Sequence, residues 1–97
     1  MPFMYELKLA AEESSYTFVQ QLISVGSVAD VERPLCALTD GKTEFYLMAP
    51  KRGLIVEWFV EHGEAVGNGR AMARLVCEGD EVVVPAAVPV AVPVKRG

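Results

Sequence analysis

The chain has 97 residues, enough for one domain around one core and too few for two. Its formal net charge of −4 excludes the basic footprint of a nucleic-acid-binding surface. The hydrophobic fraction of 52% is inflated by an Ala/Val-rich tail, and no apolar run approaches the roughly 18 residues that a membrane span needs.

The N-terminus, Met1-Pro2-Phe3-Met4-Tyr5-Glu6, lacks the basic start and apolar centre of a secretory signal. Cys36 and Cys77 lie far apart and form no C-x-x-C pair, so they read as two buried small apolar residues in a reducing compartment. A cytoplasmic location follows as the expectation.

In chain order, Leu7 and Leu9 alternate with Lys8 after Tyr5, as in a half-buried strand. Glu12-Glu13-Ser14-Ser15 reads as a polar loop. Thr17-Phe18-Val19, Leu22-Ile23, Phe45-Tyr46-Leu47 and Leu54-Ile55-Val56 carry the β-branched and aromatic residues that suit strands. Turn formers punctuate them: Gly26, Asp40-Gly41, Ala49-Pro50, Gly53, Gly63, Gly67 and Gly69. No segment sustains a helical stripe. The body, residues 4–83, is therefore expected to be all-β, a barrel or sandwich. Residues 84–97, with Pro85, Pro89 and Pro93 among Ala and Val, suit neither a helix nor a central strand and are expected to be a linker without a fold of its own.

An internal repeat organises the body. When residues 16–44 are laid on 53–81, an offset of 37, Val19 meets Val56, Gly26 meets Gly63, Arg33 meets Arg70, Leu38 meets Leu75 and Glu44 meets Glu81. The apolar pattern agrees as well, with Phe18 on Ile55, Leu22 on Phe59 and Leu35 on Met72. Two halves related by a pseudo-two-fold account for it, because either half alone leaves one apolar face wet.

Few residues offer chemistry. His62 stands alone beside Gly63, with no nucleophile for it to activate, and reads as a solvated turn residue. Trp58 and Phe59 read as core or core edge, and Lys51-Arg52 as a solvated pair on a turn. The Glu78-Asp80-Glu81 cluster lacks the ligand spacing of a calcium loop. No phosphate loop, nucleophile elbow or zinc spacing occurs, so neither a catalytic residue nor a metal site is expected.

The segment from Ala49 to Gly69 begins A-P-K-R-G, continues as an apolar strand and closes G-E-A-V-G-N-G. It resembles the second half of the lipoyl/biotinyl attachment domain family. Gly26-Ser27-Val28-Ala29 and Pro34-Leu35 stand where that family's first half has G-D-x-V and P-L. The resemblance covers about residues 4–78. It implies a flattened β-barrel (a barrel-sandwich hybrid) of two related halves, and it places Lys42, eight residues before Pro50, on the family's modified lysine. Gly53 falls where lipoyl-bearing proteins typically carry a glycine.

The implied function is a swinging-arm acyl carrier, not an enzyme. A lipoate ligase or lipoyl transferase would attach lipoate to Lys42, through attack of the amine on the activated acyl group. The arm would then serve the components of a 2-oxoacid dehydrogenase-like complex. Neither nucleic acid nor membrane enters as a partner. In the family, a surface loop near the position of Glu12–Ser15 helps partner enzymes recognise the domain.

The chain also departs from the pattern. Lipoyl domains usually carry Asp immediately before the lysine and often Glu three before it, where this chain has Gly41 and Thr39. The methionines that flank a biotinyl lysine are absent, which argues against biotin. Asp-Gly is a strong hairpin signal, and if Asp40 and Gly41 are the two central turn residues, Lys42 begins the next strand. The alternative function is then an unmodified lipoyl-like scaffold or interaction module. A membrane-fusion adaptor is disfavoured, since the chain lacks the long coiled-coil insertion of that class.

Overall fold

The computed structural model describes residues 1–10, 16–67 and 69–92, so the expected recognition loop at Glu12–Ser15 lies outside the described residues. Among those described there is no helix. The strands in chain order are β1 (Phe3–Lys8), β2 (Tyr16–Gln21), β3 (Val28–Ala29), β4 (Pro34–Thr39), β5 (Glu44–Met48), β6 (Gly53–Trp58), β7 (Ala65–Val66), β8 (Ala71–Cys77) and β9 (Val90–Ala91). They form two antiparallel sheets, ordered β1-β8-β6-β3 and β7-β2-β4-β5-β9.

Alternation explains the outer strands. In β1, Phe3 and Leu7 point inward, while Met4, Glu6 and Lys8 are exposed. In β6, Gly53 and Ile55 are buried, and Leu54 and Val56 are not. The central strands β4 and β8 read differently. Leu35 to Leu38 are buried without interruption, whereas in β8 Met72, Ala73, Leu75 and Cys77 are buried and Arg74 and Val76 are only partly so. The β4 run, with Cys36 and Ala37 between two leucines, lacks the period-two signal that identifies a strand from sequence. Leu22 and Ile23, expected in a strand, form a bend just after β2, although Leu22 N–H still donates to Leu35 C=O at 2.8 Å.

The core lies between the sheets and draws on both halves of the repeat. Leu7, Leu35, Leu38, Leu47, Ile55, Met72 and Leu75 are fully buried. Phe18 meets Trp58 with ring centroids 5.7 Å apart, a contact between halves. Trp58 satisfies its indole N–H on Ile23 C=O at 3.0 Å, so it edges the core with its polar atom paired.

The offset of 37 recurs in the backbone. The β2–β4 register shifts between Phe18 and Gln20, and the β6–β8 register shifts between Ile55 and Glu57. Gly26 N–H donates to Ile55 C=O at 2.8 Å, and Gly63 N–H to Phe18 C=O at 2.9 Å. Ile55 N–H donates to Ser27 C=O, and Phe18 N–H to Glu64 C=O. Each of these bonds joins one half to the other. The strand pairs do the same, since β7 of the second half flanks β2 and β3 of the first flanks β6.

The tail corrects the expectation of a linker without fold. Ala87 is buried in the core, forms a parallel bridge with Leu9, donates its N–H to Lys8 C=O and accepts from Ala10 N–H. β9 then pairs with β5, with Tyr46 opposite Val90 and Phe45 opposite Ala91. The prolines permit this because the segment needs few donors. Beside the β9–β5 ladder, Ala87 and Val92 carry N–H groups that bond, and a strand at a sheet edge tolerates proline neighbours. Residues 93–97 lie outside the described residues.

Gly53 owes its identity to sterics. A Cβ there would stand 2.9 Å from both Cys77 Sγ and Val76 O, and the latter is backbone that cannot move aside cheaply. Gly53→Ala is expected to destabilise the fold by about 1–3 kcal/mol through this overpacking. In thermal unfolding that lowers Tm by roughly 4–8 °C per kcal/mol for a domain of this size.

Candidate functional site

The β4–β5 hairpin carries Lys42, an exposed lysine, in its connection. Its last strand pair is Thr39 with Glu44, leaving Asp40, Gly41, Lys42 and Thr43 as the connection. Asp40 N–H donates to Thr43 C=O at 3.3 Å, so Asp40 and Thr43 face each other and Gly41 and Lys42 are the central pair. Gly41 has a φ of 97°, the left-handed conformation that glycine adopts without strain. Of the two turns left open by the sequence, the one with Asp40 and Gly41 in the middle is not formed. Lys42 sits at the tip rather than at the start of the next strand.

Two side chains tie the tip. Asp40 Oδ1 accepts from Lys42 N–H at 2.9 Å and from Thr43 N–H at 2.8 Å, an Asx-type turn. Thr39 Oγ1 accepts from Gly41 N–H at 3.1 Å and donates to Thr43 C=O at 3.2 Å. Every main-chain N–H from Asp40 to Thr43 is thereby engaged. The Asp40 carboxyl is held below its usual value of 3.8, first by the Thr43 N–H and then by the Lys42 N–H. The Lys42 side chain is exposed and makes no hydrogen bond or ion pair among the described residues.

Of the four residues expected at the site, Asp40, Gly41 and Lys42 come together and Gly53 does not. Strand β5 runs away from the tip for roughly 17 Å before the chain turns at residues 49–52. Gly53 therefore packs at the far end, against β8. Lys51 and Arg52 border a shallow concavity there with Val28, Leu54, Val76 and Glu78. Lys51 Nζ lies 5.9 Å from the Phe3 ring centroid, and Tyr5 OH donates to Lys51 C=O, so this turn is braced by β1. Glu78, Asp80 and Glu81 are exposed where the chain leaves β8.

His62 also finds a structural place. Its Nδ1 is 2.6 Å from Val19 C=O, which fastens the turn before β7 to β2. In the same turn, Glu64 Oε1 accepts from Glu61 N–H and Oε2 bonds Arg70 at 3.0 Å; the Arg70 guanidinium holds that carboxyl below the ordinary range. Cys36 and Cys77 are free and buried, and burial pushes the Cys36 thiol up to about 12. The residues that sequence reasoning overlooked are Thr39 and, in its actual role, Asp40. The signal for both was local: Thr and Asp before Gly favour side-chain turn bonds to the amides two and three residues on.

The chain matches no family model, no curated protein and no solved structure.

Because the Asp40 carboxyl sits lower in the folded hairpin than in an unfolded chain, its support for the tip is present above about pH 4 and lost as pH falls through the lowered value. An NMR titration of the Lys42 and Thr43 amide shifts is expected to give one transition, with its midpoint below 3.8. A midpoint at or above that value would mean the carboxylate does not hold the turn. Asp40→Ala is expected to abolish the transition and lower the amide order parameters of Lys42 and Thr43.

Proposed function

We propose that this chain is a carrier domain, lipoylated on Lys42, that shuttles acyl groups between the active sites of a 2-oxoacid dehydrogenase-like complex. The observation that carries the reading is the display of Lys42. Its amine projects from a hairpin tip whose backbone is tied by Thr39 and Asp40, and no described side chain competes for it. On this reading the fold is the flattened barrel of the lipoyl/biotinyl family, which the matched bulges and reciprocal glycine bonds of the two halves support.

The tip suits the attachment chemistry. Lys42 Nζ attacks the acyl carbon of an activated lipoate held by a lipoate ligase or lipoyl transferase. An amide forms, the activating group leaves and the amine's proton passes to solvent. Once attached, the dithiolane supplies acyl and electron transfer, and the catalytic residues belong to the partner enzymes. The chain itself contributes placement. A flexible lysine stem on a stiff hairpin raises the effective concentration of the carried group at each site it can reach. The two free, buried thiols accord with a cytoplasmic, reducing compartment, where they stay clear of the arm's disulfide chemistry.

A second reading is an unmodified scaffold of the same fold. Gly41 favours it, because glycine occupies the position where lipoyl domains usually carry the acidic neighbour of the lysine.

Intact mass separates the two after co-expression with a lipoate ligase and supplied lipoate. The carrier reading expects a gain of one lipoyl group, absent from Lys42→Ala. An unchanged mass in the folded chain, with a known lipoyl domain modified in the same cells, would favour the scaffold.

A further inference from the structure

We infer that residues 87–92 form a displaceable strap that gates access to the Lys42 hairpin, by occupying the outer edge of β5 that a modifying enzyme would otherwise reach. The inference rests on the carrier reading above. β5 is the outer strand of the hairpin, and without β9 its edge would present unpaired N–H and C=O groups, a ready template for an added strand. In this chain β9 occupies part of that edge, at Phe45 and Tyr46. Val92 N–H donates to Glu44 C=O at 2.9 Å, two residues along the chain from Lys42, so the strap reaches the base of the hairpin connection.

The strap is fastened lightly. Ala87 is its buried anchor, whereas Val90 is 51% exposed and Ala91 is exposed too. Outside the two-residue β9–β5 ladder, Ala87 and Val92 each donate one backbone bond, and Pro89 can donate none. Residues 81–86, which lead to the strap, pair with no strand. Segments with few buried contacts and few ladder bonds open at a small fraction of the global unfolding free energy. β9 also covers little of its template, pairing with Phe45 and Tyr46 of a strand that runs from Glu44 to Met48. An extended apolar segment spanning the whole of β5 would form more ladder bonds than β9 does and would replace it. The partner of this edge is accordingly an extended strand of the enzyme that modifies Lys42.

The test is the rate of lipoyl transfer, as kcat/KM for the purified chain with a lipoate ligase. It compares the parent with Val92→Pro, which deletes the donor to Glu44, and with a chain ending at residue 84. Each variant is first checked for a cooperative unfolding transition, and Val92→Pro decides if the shorter chain fails to fold. The strap predicts transfer faster by about five- to tenfold, the factor that one ordinary net hydrogen bond carries. Transfer to the folded variants at the parent rate or slower overturns the gate and leaves the carrier reading intact. No transfer to any of the chains, with a known lipoyl domain modified alongside, overturns both.

Discussion

The structure depends on a reciprocal set of hydrogen bonds that lock two similar halves into each other. Gly26 of the first half bonds the strand at Ile55 in the second, and Gly63 of the second bonds the strand at Phe18 in the first. Both glycines have positive φ, which turns the chain sharply enough to bring those amides onto the facing strand. Each bond places a core residue, Phe18 or Ile55, beneath a turn contributed by the opposite half. Neither half can be completed without its partner, so the body is expected to fold as one cooperative unit.

That lock frees one hairpin for display. β4 is held from both sides, by β2 and by β5, and its Leu35 and Leu38 lie fully buried between the sheets. The connection beyond Thr39 is then short, and its amides are satisfied by Thr39 and Asp40 rather than by other parts of the molecule. The result is a tied hairpin with an exposed lysine at its end, the display that the proposed carriage would require. The strap adds a second layer, lying on the same hairpin but held by far fewer contacts than the core.

Much of this was legible from the residues, and the misses have physical causes. Glycine turns and matched apolar positions exposed the offset of 37, and the backbone follows it to the bulges. β4 was silent because a central strand buried without alternation carries no period-two signal. The tail misled because proline was weighed as a breaker. At a sheet edge, where few donors are needed, it is tolerated, and Ala87 is small enough to enter the core. At the tip, the residues left open whether Asp-Gly is the central pair of the turn, because the dipeptide suits that place. The Asp40 side chain instead caps the turn from outside and moves the central pair on by one residue, to Gly41 and Lys42. Gly53 was grouped with the lysine through the resemblance to lipoyl-bearing proteins, whereas its constraint is the close approach of β8.

The interlock is the claim on which the rest stands, and native-state hydrogen exchange of the Gly26 and Gly63 amides tests it most directly. The account predicts that both exchange only through the global opening, with equal free energies that fall in parallel as denaturant is added. Exchange of either glycine through a cheaper, denaturant-independent opening, or release of one half while the other stays protected, would contradict it.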